Sequence, residues 1–172
     1  MHLTEAGSSR FDEAGVEAIK DARSATLDLA SGALTKSDIG LADDAFIPMV
    51  TMDDTTPLEV TVRMPEGEVV LETPTLKLFD ASGGAAVDAV TLFRVFDEPD
   101  DLVAEVVASV DAYGVQAEAV DQWVSDVGSG LYASHDTALP IGRKLGSGVQ
   151  ISVNWDEGDP RQVLEYTITP AT

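Results

Sequence analysis

"VTLFRVFDEPDDLVAEVVASVDAYG", residues 90–114, changes from one spacing of apolar residues to another, and this change decides the fold class. Up to Phe96 the stretch is apolar on both faces, which is typical of a central strand. Beyond Pro99 the apolar residues return at helical spacing, and Gly114 ends the pattern. Proline near the start and glycine after the end match the usual helix boundaries. The stretch therefore predicts a central strand that leads into a helix.

The chain after residue 114 continues with a helix and then two strands. The second, shorter helix is predicted over 117–127 and ends at Gly128. Two segments, 147–155 and 161–169, then alternate apolar and polar residues, which is the pattern of half-buried strands. "DEGDP", which lies between them, predicts a hairpin turn.

The chain before residue 90 contains further strands. Residues 58–64 alternate in the same way, and "MPEGE" predicts a tight turn into "EVVLETP". Across Thr73 and Pro74 the alternating apolar residues shift by one position along the chain, which predicts a bulge or a break at these two residues.

The N-terminal part predicts one more helix, from about residue 11 to 29, with Ser8 or Ser9 as a candidate N-cap. Residues 1–10 are expected to be disordered. Residues 33–57 are the least periodic and predict an irregular connection, with a short edge strand at 46–51.

These elements together predict the α+β class. Runs of strands, rather than strict alternation of strands and helices, favour an antiparallel sheet of about five to six strands with helices packed on one face. A chain of 172 residues has the usual size of one domain, so residues 1–172 are expected to form a single domain.

The composition is strongly acidic and free of cysteine, and the net charge is −21. Nucleic acids and anionic membrane surfaces are contacted mainly by Lys and Arg, so both are disfavoured as partners. No apolar stretch approaches the roughly 20 residues that span a bilayer, which predicts no transmembrane segment. Three interpretations of the acidity stay open: a solubility surface of a high-salt or exported protein, a cation-binding face, or a surface for a basic partner.

Residues 133–148, "ASHDTALPIGRKLGSG", predict a connecting loop with candidate partner-binding residues His135, Arg143 and Lys144. No Lys or Arg occurs from Val95 through Gly142, and Arg143 and Lys144 end this acidic run. They are predicted either to pair with neighbouring helix carboxylates or to bind an anion or a partner. Ser134, His135 and Asp136 do not predict a catalytic triad, because neighbours in sequence cannot adopt triad geometry.

The two tryptophans complete the candidate partner-binding set. Trp123 and Trp155 each predict either a residue at the edge of the core or an exposed anchor for a partner. The acidic stretches "DEPDD" and "DEGD" lack the spacing of a calcium loop, and the glycines near Lys144 lack the order of a phosphate loop. We therefore expect no catalytic residue, no metal site and no cofactor.

One arrangement has a familiar pattern. An alternating strand that ends in an aromatic residue and an acid, then residues 97–126, then two alternating strands, resembles the mature domains of uncharacterised exported proteins and lipoproteins of high-GC actinobacteria. The likeness covers about residues 58–168, and its marks are the Gly114 to Trp123 spacing and the composition rich in Ala, Val and Asp. It implies a secreted or cell-envelope location and no catalytic residues.

Three functions are consistent with these patterns. The first is a non-enzymatic binding or protein-interaction domain outside the cytoplasm, with a protein or cell-envelope ligand. The second is an immunity or inhibitor protein of the cytoplasm whose acidic helices cover a basic active site. The third is a hydrolase that uses dispersed carboxylates.

Overall fold

The computed structural model describes residues 3–52, 56–81, 83–129, 134–156 and 161–171. Its strands form two sheets that share one hydrophobic core with the helices. The elements in chain order are α1 (Glu13–Ala22), β1 (Ser24–Asp28), a 3-10 turn (Ser37–Ile39), β2 (Val50–Thr51), β3 (Leu58–Met64), β4 (Gly67–Thr73), β5 (Thr75–Phe79), β6 (Ala89–Phe96), α2 (Pro99–Tyr113), α3 (Ala117–Gly128), β7 (Ser134–Ala138), β8 (Gly148–Asp156) and β9 (Gln162–Thr169).

The larger sheet has six antiparallel strands in the order β2-β5-β6-β9-β8-β7. β6 pairs with β5 on one side and β9 on the other, as predicted for a central strand. β9 alternates buried and half-buried residues along its whole length. Leu164, Tyr166 and Ile168 therefore point to one face, where they are completely buried.

Helices α2 and α3 cover this inner face. Tyr166 on β9 donates a hydrogen bond to Glu105 on α2, with 2.6 Å between the oxygens. Trp123 on α3 meets Trp155 on β8 edge to face, with ring centroids 6.2 Å apart. The prediction of an α+β fold, an antiparallel sheet with helices on one face, is thereby confirmed.

The smaller sheet has the order β1-β3-β4, and β1 runs parallel to β3. The predicted hairpin of β3 and β4 is present, with Leu58 opposite Thr73 and Met64 opposite Gly67. The predicted break follows at once, because β4 ends at Thr73 and β5 begins at Thr75 in the other sheet. Buried Thr73 secures this crossing, since its Oγ1 accepts a hydrogen bond from the Phe93 N–H at 2.9 Å.

The predicted helix over 11–29 is wrong in its second half. Helix α1 ends at Ala22, and Arg23 takes the left-handed conformation, with φ of 50°. Residues 24–28 form β1, where Ala25 and Leu27 are buried. The N-cap is Asp12, whose side chain accepts a hydrogen bond from the Gly15 N–H at 2.8 Å.

The predicted disorder of residues 1–10 is corrected for residues 3–10. Leu3 forms an isolated bridge with Ser9, and Ser8 and Ser9 are buried. Their hydroxyls do not cap α1, because they accept hydrogen bonds from β1: Ser8 Oγ from the Asp28 N–H and Ser9 Oγ from the Thr26 N–H, both at 2.9 Å. Residues 1 and 2 lie outside the described residues.

Two further segments differ from their predictions. The stretch 133–148 is not wholly a loop, because it contains β7, which pairs with β8 along five residues. In the irregular connection 33–57, the edge strand is present but covers only Val50 and Thr51 of the predicted 46–51. The rest of that connection is anchored by Lys36, whose side chain is 1% exposed.

Candidate functional site

The face of the six-stranded sheet that points away from α2 and α3 carries, in the described part of the chain, mainly half-buried and exposed side chains, and we call it the outer sheet face. It consists of the residues that alternate with the buried ones in each strand pairing. Among the side chains that the structure describes, its half-buried and exposed members are Thr51, Thr75, Lys77, Phe79, Thr91, Phe93, Val95, Asp136, Ala138, Gln150, Ser152, Asn154, Val163, Glu165, Thr167 and Thr169.

The outer sheet face carries little charge for a chain of net charge −21. Among the members with described side chains, one positive residue, Lys77, and two negative residues, Asp136 and Glu165, give a net charge of −1. It also exposes large apolar side chains, since Phe79 is 49% and Val95 47% exposed. Few charges together with exposed aromatic and apolar groups are the composition of the core of a protein interface.

The opposite side of the molecule differs in charge. Residues 97–128, which include α2 and α3, contain nine acids and no Lys or Arg. Most of these nine acids are exposed, and Asp100, Asp111 and Glu118 are examples. The molecule therefore has an acidic helical side and a nearly neutral sheet side.

A shallow depression of about 280 Å³ lies in the outer sheet face across β6, β9, β8 and β7. Phe93 and Val163 supply apolar surface, and Phe93 lies directly opposite Glu165 in the strand register. Asp136 lies opposite Asn154 on the neighbouring pair. The volume of this depression lies below the roughly 300–1,000 Å³ of small-molecule pockets. The depression fits a few side chains of a larger partner.

A polar cluster beneath the sheet joins it to α2. Glu105 Oε1 accepts the hydroxyl of Tyr166 and lies 2.7 Å from Arg94 Nη1. Burial, reinforced by the hydrogen bond to Glu105, raises the pKa of Tyr166 far above its usual value. Tyr113 packs edge to face on Tyr166, with centroids 6.1 Å apart, and burial raises its pKa as well. Both phenols stay protonated at neutral pH, and the hydrogen bond from Tyr166 to Glu105 ties α2 to the sheet.

The candidate anchors Trp123 and Trp155 lie in the core. They are 4% and 8% exposed and contact each other, so their alternative role as exposed anchors is corrected. His135 lies opposite Trp155 in the pairing of β7 with β8. The structure thus packs the two tryptophans against each other between α3 and β8, so neither indole is presented at the surface.

Arg143 and Lys144 lie in the turn before β8, and their surroundings differ. Arg143 is exposed beside a depression that Gly32, Leu34 and Ala171 help to line. Lys144 Nζ donates to the backbone carbonyl of Asp111, and its backbone N–H donates to the carbonyl of Tyr113 at 3.1 Å. Lys144 therefore supplies a positive charge to the C-terminus of α2, whose own last turn holds no basic residue.

We expect Lys144→Glu to lower the free energy of unfolding by about 1 kcal/mol, because it places a negative charge at the negative end of the α2 dipole. Arg143→Glu is the matched control and is expected to change stability by less than about 0.5 kcal/mol. Urea unfolding of both variants measures the difference. Equal effects of the two substitutions contradict the capping role of Lys144.

The chain matches no protein-family profile, no curated protein and no solved structure. Within the described parts of the chain, no group of three or more His, Asp or Glu side chains is placed to hold a metal ion. Among the same residues, no helix combines the length and the apolar character needed to cross a membrane.

Proposed function

We propose that this protein is a non-enzymatic interaction domain that acts outside the cytoplasm and binds a protein partner through the outer sheet face. The observation that carries the proposal is that the outer sheet face is both uncovered and nearly neutral in a strongly acidic chain. The location outside the cytoplasm rests on the resemblance of residues 58–168 to exported proteins.

A protein partner suits this face better than a small ligand. The exposed side chains of Phe79 and Val95 and the threonines of this face extend over four strands, β2, β5, β6 and β9, whereas the depression on the same face is shallow. Protein interfaces combine such an apolar centre with scattered hydrogen-bonding groups. The expected partner presents a flat surface of low charge.

The acidic helical side supports a second candidate function. The nine acids of residues 97–128, unopposed by Lys or Arg in that range, suit an inhibitor that covers a basic active site. This function predicts contact through α2 and α3 and strong weakening by salt, whereas contact through the outer sheet face is expected to persist at high salt.

A photo-crosslinking amino acid in the full chain, inside the cell that produces it, tests the two candidates. Positions Lys77 and Asn154 report on the outer sheet face, and positions Ala108 and Asp121 report on the helical side. We expect one crosslinked protein from the first pair of positions and none from the second pair. Crosslinks confined to Ala108 and Asp121 overturn the proposal and favour the inhibitor.

A matched pair of substitutions shows whether the crosslink depends on this surface. Val95 on the outer sheet face and Val107 on α2 are exposed to nearly the same extent, 47% and 49%. We expect Val95→Lys to remove the crosslink and Val107→Lys to keep it, with little change in stability from either. Loss of the crosslink with both variants contradicts recognition through the sheet.

Two further measurements address the remaining parts of the proposal. Cell fractionation with the intact mass of the native protein tests the location, and an unprocessed cytosolic form contradicts it. Substrate turnover that Asp136→Asn or Glu165→Gln abolishes sinks the non-enzymatic assignment, because these are the two carboxylates at the depression.

A further inference from the structure

The two most exposed large apolar side chains of the described residues lie only three positions apart. Phe46 is 87% and Met49 56% exposed, and both lie in the segment that leads into β2. Isolated apolar residues at a surface are common, but an exposed aromatic ring that lines an apolar groove, as Phe46 does, is typical of a contact surface.

This exposure belongs to an anchored segment. Ile47, next to Phe46, is 6% exposed, and Val50 at the start of β2 is completely buried. The Ala45 N–H closes a turn on the carbonyl of Ala42, and Lys36 Nζ donates to the carbonyl of Asp43 at 3.1 Å. The backbone on both sides of Phe46 is therefore held to the body, and the ring is presented to solvent.

A groove of about 370 Å³ lies between this segment and helix α1, and it shares no lining residue with the depression of the outer sheet face. Its apolar wall is formed by Phe46, Pro48, Leu41 and Val16, over the buried ring of Phe11. Acidic side chains of the first turns of α1 line the other side, and they are Asp12, Glu13 and Glu17.

These three acids are not equally available to a partner. Asp12 caps α1 and pairs with Arg10, whose hydrogen bond lowers the pKa of the Asp12 carboxyl. Glu13 is exposed, and Glu17 makes only a long contact of 3.6 Å with Lys20. Glu13 and Glu17 therefore provide the negative charge at the rim of the groove.

We propose that this groove, bounded by α1 and residues 41–49, docks a basic segment of another protein. An apolar side chain of that segment packs against Phe46, Pro48 and Val16, while flanking Lys or Arg residues pair with Glu13 and Glu17. A second copy of this chain is a poorer occupant, because its net charge of −21 repels the acidic rim. This site is separate from the outer sheet face, so either proposal can fail without the other.

Backbone NMR titration of the full chain tests the site with a synthetic amphipathic peptide of lysine and leucine as the probe. We expect shifts in residues 41–49 and α1, and a dissociation constant that rises with salt. Phe46→Ser with Met49→Ser is expected to weaken binding about tenfold or more. These residues are exposed, so the variant should stay folded, and Val107→Ser on α2 is the control with no expected effect.

Changes of the peptide separate the proposed recognition from general attraction to an acidic protein. A lysine and serine peptide is expected to bind much more weakly, and Glu13→Gln with Glu17→Gln is expected to remove most of the salt dependence at this site. Equal binding of the serine peptide, or shifts as large on α2 and α3, overturns the proposal. A concentration-dependent dimer that Phe46→Ser dissolves also overturns it, because the groove is then occupied by a second copy.

Discussion

Lys36→Met is expected to lower the free energy of unfolding by about 3 kcal/mol. The Lys36 side chain is 1% exposed, and its ammonium group lies 2.6 Å from Asp80 Oδ2 and 3.1 Å from the carbonyl oxygen of Asp43. Methionine keeps much of the apolar stem but leaves the Asp80 carboxylate without its counterion. Because Asp80 is 27% exposed and keeps some contact with water, the loss falls at the lower end of the range for a broken buried pair.

Urea unfolding at neutral pH measures this loss, and two further variants assign its cause. Lys20→Met removes a lysine whose side chain is 37% exposed and lies 3.6 Å from Glu17, and is expected to cost less than about 0.5 kcal/mol. Adding Asp80→Asn to Lys36→Met is expected to recover about 1 kcal/mol or more, because the half-buried carboxylate that has lost its counterion is removed. A loss below about 1 kcal/mol for Lys36→Met refutes the structural role of the pair.

The burial of Lys36 is a feature of the fold that local sequence patterns do not predict. Its partner Asp80 is far along the chain, and neither residue lies in a periodic element. A lysine in a polar, aperiodic stretch is normally exposed, so nothing local predicts its burial. The same long-range pair anchors the base of the segment that presents Phe46.

The misplaced end of α1 has a physical explanation in the sequence. Phe11, Ile19 and Leu27 are spaced by eight residues. Residues eight apart lie near the same face of a helix, and because eight is an even number they also lie on the same face of a strand. Ala25, Leu27 and Leu29 are completely buried, whereas Thr26 is 8% exposed and Asp28 is half-buried, so complete burial recurs at every second residue, as in a strand. The boundary itself is the left-handed Arg23, a conformation that sequence rarely predicts for a residue other than glycine.

Strands were predictable where one face is apolar, and less so elsewhere. β8 and β9 alternate cleanly, and both were predicted. β7, "SHDTA", has no alternating apolar residues, so its pairing with β8 emerges only in the fold.

The sequence of β6 does not predict that one face of the sheet is left uncovered. β6 is apolar on both faces, which is typical of a strand covered on both sides. The helices cover only one side, and Phe93 and Val95 on the other remain half-buried and exposed. The sequence therefore predicts the strand but not which of its faces is left uncovered, because alternation identifies two faces without showing what packs on each.

The second large effect is expected at Trp123, which the sequence leaves open as either a core residue or an anchor for a partner. The indole on α3 is 4% exposed and lies edge to face with Trp155, 83° between the ring planes. Trp123→Ala removes this contact and opens a cavity beneath α3, so we expect a loss of about 3–5 kcal/mol in the free energy of unfolding. Trp123→Phe keeps an aromatic ring and is expected to cost clearly less.

Denaturant unfolding followed by circular dichroism is the appropriate measurement, because Trp123 is one of only two tryptophans and its replacement alters the fluorescence. Val107→Ala on α2 serves as the control, since Val107 is 49% exposed and its truncation leaves no cavity. An anchor residue would give the opposite result, in which Trp123→Ala leaves stability within about 1 kcal/mol of the natural chain and abolishes capture of the crosslinked partner. A large loss of stability in Trp123→Ala, together with crosslinking that the folded fraction of Trp123→Phe retains, assigns the tryptophan pair to the support of the sheet. The reason is that an indole packed between α3 and β8 acts on the outer sheet face only by holding β8 in place.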